Sequence, residues 1–277
     1  MKTPFRKPPM KLLAAAGVTA TMVAVPAAAS ATTLTGSGSS AAQPYMLELF
    51  KAYTQINKSI HFKYIADGGN AGVKDVQAGR SEFAINTRPP LPSDAGTTYV
   101  KLFLDGLCIG VNKANSMTNI SMTSLKNVFL GVDTNWSQVG GSNLSTTIDP
   151  IGRNSAAGQY TFFQSSVLGG ATQASDVAQD TSDGLVQIGI GKDANSIGYV
   201  GLAHSGPPVK KISVNGVACN QTNIRKETYP LYRYDWGVVP TAHHNTQVIK
   251  FLEWVRTSKI AGEVINKAGA VSAFNKK

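Results

Sequence analysis

Three times along the chain a short β-prone run breaks into small residues and re-enters a helix. The first break runs through Gly36, Ser37, Gly38, Ser39, Ser40, Ala41 and Ala42, and the helical stretch after it carries Pro44, Tyr45, Leu47, Leu49, Phe50 and Tyr53. The second, Asp67, Gly68, Gly69, Asn70, Ala71 and Gly72, follows an alternating apolar–polar run over 60–65. The third is Gly152, Arg153, Asn154, Ser155, Ala156, Ala157, Gly158 and Gln159, ahead of Tyr160, Phe162 and Phe163. Strand, turn and helix in alternation argue for βαβ units, a largely parallel sheet and helices on both faces. In such sheets ligands collect at the carboxyl ends of the strands. Each turn would present backbone N–H groups at the positive end of a helix dipole, the local chemistry of an anion cradle. Gly/Ser-rich turns also occur without any ligand, their serines acting only as N-caps. The third turn adds Arg153, whose guanidinium fork suits an oxyanion or, equally, a carboxylate of its own chain.

Between and after these turns the pattern continues. A short strand over 83–87 is stopped by Arg88, Pro89 and Pro90. An extended segment over 99–112 is long enough to cross between two lobes. A helix over 121–130 has Ser121 as its N-cap, Trp136 falls in a glycine-rich loop, and 148–151 reads as a strand. Next come a helix over 183–194, a buried strand over 196–201, an extended return over 209–217 and an aromatic β-prone run over 229–235. An amphipathic helix over 245–256 and a shorter one to 270 close the chain. There is no repeat, charge run or low-complexity linker, so any two lobes are joined by the strands themselves.

The N-terminus sets the compartment. Lys2, Arg6, Lys7 and Lys11 precede an apolar run over 12–29, and Ala29, Ser30 and Ala31 supply a cleavage-type ending, so residues 1–31 read as a cleavable signal peptide. No cysteine lies near the cut to take a lipid. The exported chain would be periplasmic or secreted, with no membrane span once the leader is removed. Removing the leader takes four of the 26 basic residues and none of the 16 acidic ones, and leaves a net charge of +6. That charge suits an anionic ligand and is too dispersed for a nucleic-acid footprint. The two cysteines, Cys108 and Cys219, are compatible with one disulfide or with two separate buried thiols. Catalysis finds no support. The four histidines include no metal-spaced pair, no Gly-x-Ser-x-Gly elbow is present, and no acidic pair stands out. His243 and His244 precede a helix and read as exposed. No catalytic residue, metal site or cofactor is expected.

Taken in order, these segments resemble the periplasmic phosphate-binding proteins of ABC transporters, which have the type II periplasmic-binding-protein fold. Thr35, Gly36, Ser37, Gly38, Ser39 and Ser40 are similar to the family's opening turn. Gly69 to Lys74, with Phe83, Ala84, Ile85, Asn86, Thr87, Arg88 and Pro89, are similar to its second and third ligand segments. Arg153 with Ala157, Gly158 and Gln159 sits where the family has Arg and Ser-Gly-Thr. Ile197 to Gly201, Asn215 to Val217, and Tyr229, Pro230 and Leu231 complete the match over nearly the whole exported chain.

The resemblance implies an α/β protein of two lobes, each a mixed, mostly parallel sheet flanked by helices. Lobe I would comprise residues 32–110 with 206–277, and lobe II residues 111–205. A monomer would close over inorganic phosphate or a related oxyanion and serve an ABC-transporter permease, with no chemistry on the ligand. Carried over residue by residue, the ligand set is Ser40, Ala41, Gly69, Asn70, Thr87, Arg153, Ala157, Gly158 and Gln159. Several positions depart from the family pattern. Its serine in the second segment is Gly69 here, and Ser-Gly-Thr becomes Ala157, Gly158 and Gln159. The position that is Asp in some members and Ser in others is Thr87. Each lost hydroxyl removes a donor worth roughly 1.5–3 kcal/mol to a charged ligand. The Asn70, Asn86 and Gln159 amides are candidates to replace them. The alternative is an exported interaction or scaffold protein on the same fold with altered or lost phosphate binding.

Overall fold

The computed structural model describes Met1 and residues 31–273, and apart from its two ends the leader expected over 1–31 lies outside them. The first wing of the sheet is built from β1 (Thr32–Gly38), α1 (Gln43–Ile56), β2 (Ile60–Ile65), α2 (Gly69–Gln77) and β3 (Phe83–Asn86). The long β4 (Thr97–Asn112) leads to β5 (Asn119–Ile120), α3 (Met122–Phe129) and α4 (Trp136–Val139). The second wing follows as β6 (Asp149–Arg153), α5 (Gly158–Ser166), β7 (Ala178–Asp180), α6 (Asp183–Lys192) and β8 (Ser196–Gly201). The chain ends in β9 (Val209–Lys211), β10 (Ser213–Val214), α7 (Gln221–Arg225), β11 (Tyr232–Pro240), α8 (Thr246–Thr257), α9 (Lys259–Ala268) and β12 (Val271–Ser272).

The sheet runs β2-β1-β3-β11-β4-β8-β6-β7, with β9 and β12 also paired to β4. Each wing is parallel about its middle strand, β1 between β2 and β3 and β6 between β7 and β8. The wings are joined by the antiparallel strands β11 and β4. The result is the mixed α/β architecture of the type II periplasmic-binding-protein fold. Two apolar cores lie along β4. Leu102 and Phe103 pack with Leu34, Tyr45, Phe50, Phe83 and Phe251, while residues from Leu104 to Val111 pack with Phe129, Phe163, Tyr199 and Tyr229. The arrangement matters for function because α1 and α5 each follow the middle strand of a wing. Their first turns therefore open toward the same crevice at the strands' carboxyl ends.

Local chemistry explains where elements depart from expectation. Trp136 is not in a loop: it opens α4, capped by Asn135, whose side chain accepts from the Ser137 N–H at 3.0 Å while Gln138 accepts from the Asn135 N–H at 2.8 Å. Its indole is fully buried, and its Nε1 donates to the Asn195 carbonyl at 3.1 Å. The return over 209–217 is broken by a turn at Asn215 and Gly216, both at positive φ. Strand β11 starts at Tyr232 and continues to Pro240 because it pairs along almost its whole length with β4.

Cys108 on β4 and Cys219 form a disulfide, across a sequence separation of 111 residues. Closing a loop that long removes much of the unfolded chain's freedom. Cys219→Ser or full reduction should lower unfolding stability by about 2–5 kcal/mol, read as a fall in the urea midpoint with a steeper slope, since the released unfolded chain exposes more surface.

Candidate functional site

The capping pattern singles out the site. Helices α3, α4, α6, α7, α8 and α9 each carry a side-chain N-cap: Ser121, Asn135, Ser182, Asn220, Asn245 and Ser258. Helices α1, α2 and α5 have Ala42, Gly68 and Ala157 at that position, and none makes a side-chain cap bond. First-turn N–H groups have no partner within their own helix, so an uncapped, buried helix start must be satisfied by something else. At α2 the partner is visible. The Asn70 and Ala71 N–H groups donate to the Ala156 carbonyl at 2.9 and 3.2 Å. A Cβ at Gly68 would lie 2.4 Å from that same oxygen, so only glycine permits the approach.

Asn70 tightens this clamp. Its Nδ2 donates to the Ser155 carbonyl at 3.0 Å, the Ala157 carbonyl at 3.1 Å and the Thr161 hydroxyl at 2.8 Å. Its Oδ1 accepts from Arg88 Nε at 2.6 Å. Asn86 fills the space between the starts of α2 and α5. Its Oδ1 would lie 2.4 Å from a Cβ at Gly69 and 2.0 Å from one at Gly158. Asn86 Oδ1, which accepts from the Thr87 N–H at 2.8 Å, thus occupies the space that a side chain at Gly69 would need. Thr87 follows, fully buried, and its hydroxyl has no partner in the protein. Buried polar atoms are rarely left so, and an unmatched one in a crevice calls for a ligand or water.

Arg153, at the end of β6, is buried and fully engaged. Nε donates to the Asp180 carbonyl at 3.1 Å, one terminal nitrogen to the Thr181 carbonyl at 2.8 Å, and the other to Gln159 Oε1 at 2.6 Å and to the Asp183 carboxylate. Asp183 in turn accepts from Ser40 Oγ at 2.9 Å, and from Gln159 Nε2 and the Gly201 N–H, both at 2.8 Å. Burial by itself raises the Asp183 carboxyl. The Arg153 guanidinium, with His204 and the donors at Gly201 and Gln159, outweighs burial and holds the group below the usual carboxylate range. Of the nine ligand positions carried over from sequence, Ser40, Arg153 and Gln159 therefore meet on an internal carboxylate. Ala41, Ala157 and Gly158 lie at the uncapped helix starts, Thr87 presents its free hydroxyl, and Gly69 and Asn70 belong to the α2 clamp.

A second charged cluster lies beside the first. Arg233 donates to Asp105 Oδ2 at 2.7 Å, and Asp105 Oδ1 accepts from the Tyr45 hydroxyl and the Leu202 N–H, both at 3.2 Å. Arg233 Nε stands 3.8 Å from Asp235 Oδ1, too far for a hydrogen bond. Burial, reinforced by the neighbouring Asp105 charge, pushes the Asp235 carboxyl well above the usual carboxylate range. Sequence reasoning missed this cluster and Asp183. The signal available was the alternation Tyr232, Arg233, Tyr234, Asp235, Trp236, which puts both charges on one face of a strand. In the structure the aromatic residues of this run are half-buried and the charges are inside.

The crevice between two parallel wings, with uncapped helix starts on both sides, is the architecture of a ligand-binding protein. The family model for the PBP superfamily domain matches residues 24–259, and the chain belongs to this family of periplasmic-type binding proteins. The phosphate-binding protein PstS of Bacillus subtilis (strain 168) is 25% identical over 251 residues, covering 88% of this chain and 82% of that protein. A putative phosphate ABC transporter substrate-binding protein with bound phosphate from Clostridium perfringens superposes with a TM-score of 0.81 at 20% identity, over 87% of this chain and 99% of that one. An ABC-type phosphate transport receptor from Vibrio cholerae gives a TM-score of 0.71 at 25% identity, over 86% and 99%. Among the described residues no helix is long and apolar enough to cross a membrane.

Asp183→Asn would leave the Arg153 charge buried without its counter-ion, and should cost about 3–5 kcal/mol of stability in urea at neutral pH. Because the folded carboxyl titrates below its unfolded value of about 3.9, its contribution is present above that pH and lost as pH falls through the folded value. The wild type should therefore lose stability more steeply than the variant on acidification below about pH 4.

Proposed function

We propose that this chain is an exported solute-binding protein that captures inorganic phosphate, or an oxyanion of like shape and charge, and presents it to an ABC-transporter permease. The ligand would sit between lobe I (residues 32–110 with 206–277) and lobe II (residues 111–205), and no bond of the ligand is made or broken. The observation that carries the reading is the distribution of caps. Six helices are closed by their own side chains, while α1 and α5, which open onto the crevice, are not. An anion accepts from such first-turn N–H groups and gains from the dipole behind them. Family membership and the phosphate-binding relatives support the same ligand class.

Division of labour follows from which groups are already satisfied. Ser40, Arg153 and Gln159 hold Asp183, so they fix the charge and geometry of the crevice wall. The donors left for a ligand are the N–H groups at the starts of α1 and α5, around Ala41, Gly158 and Gln159, together with the Thr87 hydroxyl.

Isothermal titration of the leader-free chain with phosphate, arsenate, sulfate and molybdate tests the proposal, with submicromolar phosphate binding expected and silence with all four anions overturning it. Thr87→Val gives the sharper result. It removes a buried hydroxyl that has no protein partner, so the unliganded protein should melt at or above the wild-type temperature. Phosphate affinity should nevertheless drop roughly 10- to 100-fold, since a hydrogen bond to a charged group is lost.

A further inference from the structure

We infer that the start of α2 is a self-latch: it bonds the first wing to the second with the chain's own groups, so the crevice is held shut without a ligand and must be unlatched before one enters. The latch rests on the oxyanion reading above only for the choice of ligand. An uncapped helix start draws negative charge through its free N–H groups and the dipole behind them. At α2 the group that takes this place is the Ala156 carbonyl, from the turn before α5, which accepts from the Asn70 and Ala71 N–H groups at 2.9 and 3.2 Å. A backbone oxygen of the second wing thus acts as the ligand of a helix in the first.

Asn70 gives the latch its direction. Its Oδ1 accepts from Arg88 Nε at 2.6 Å, and an arginine can only donate, so the Nδ2 group is turned toward the second wing. There its two hydrogens are shared among the Ser155 carbonyl at 3.0 Å, the Ala157 carbonyl at 3.1 Å and the Thr161 hydroxyl at 2.8 Å. Arg88 is fixed in turn, with its terminal nitrogens on the Asp94 carboxylate at 2.6 and 3.0 Å. Asn70, Arg88 and Asp94 all belong to the first wing and the loop that follows it, so the amide is aimed before the wings meet.

A second tie lies deeper. The Ser40 hydroxyl donates to Asp183 Oδ2 at 2.9 Å and accepts from the Asp183 N–H at 3.3 Å, and both residues are buried. The two ties differ in access. Asn70 and Thr161 are half-buried and Ser155 is exposed, so water competes for the α2 tie while the Ser40 tie is closed to it. Opening therefore starts at Asn70, and release of that amide sets the rate at which a ligand reaches the crevice.

Small-angle scattering of the leader-free chain reads the latch directly. The wild type in phosphate-free buffer should be compact, and excess phosphate should leave its radius of gyration unchanged. Asn70→Asp keeps the side chain's shape and its bond to Arg88, but sets a carboxylate against the Ser155 and Ala157 carbonyls. It should fold, expand without anion and contract when phosphate is added. In stopped-flow mixing, phosphate should bind Asn70→Asp roughly 10-fold faster than the wild type, since a larger share of the molecules is open. A wild type that contracts on adding phosphate would overturn the latch, and this comparison decides the matter even if Asn70→Asp does not fold. A folded Asn70→Asp chain as compact as the wild type without anion would overturn it too. Silence of the wild type with every anion overturns the oxyanion reading alone; a compact wild type beside an expanded Asn70→Asp chain would still establish the latch.

Discussion

The crevice depends on one buried ion pair. The carboxylate of Asp183, in the first turn of α6, is held by Arg153 from the end of β6, Ser40 from the turn after β1, Gln159 from α5 and the backbone of Gly201 from the end of β8. Segments from both wings therefore converge on one pair of oxygens. Burying such charges costs several kcal/mol per ion, and their attraction repays this only when geometry is good and every remaining donor and acceptor is matched. Here both oxygens of Asp183 and all three nitrogens of Arg153 are matched. The value of the pair lies less in net energy than in location, since each strand end that borders the crevice must be in place for the carboxylate to be satisfied.

The clamp at α2 follows the same logic with neutral groups. Ala156 offers a carbonyl to two N–H groups at an uncapped helix start, and Asn70 spans the turn beyond it. This consumes the polar groups that would otherwise compete for a ligand at α2. Among the described residues, the buried side-chain atoms without a partner are Thr87 Oγ1, two nitrogens of Arg233 and both carboxylate oxygens of Asp235, with Asn115 Nδ2 and Gln173 Oε1 away from them.

Much of this was legible in the sequence. Residues 60–65 and 196–201 are strands over the expected spans, and helix α1 begins one residue before Pro44. The α3 cap is the expected Ser121. These are local matters, set by alternation, by proline and by side chains that reach their own backbone. Ser40, Arg153 and Gln159 were expected to meet on an anionic ligand, and in the structure they meet on the Asp183 carboxylate. Asp183 escaped notice because it read only as the first residue of a helix, and nothing local distinguishes a capping-region aspartate from one that enters a core. Arg233 and Asp235 escaped because a strand's alternation shows which residues share a face without showing which face is inside.

By itself the sequence determined the fold class and the three turns that lead from strand into helix, because both come from short-range backbone chemistry. Only the tertiary structure decided which buried charges are matched within the protein and which are not. That choice depends on partners brought together from 30 residues away for Arg153 and Asp183 and 128 for Arg233 and Asp105, distances over which no local pattern carries information. It also decided that Cys108 and Cys219 are bonded, which their spacing left open.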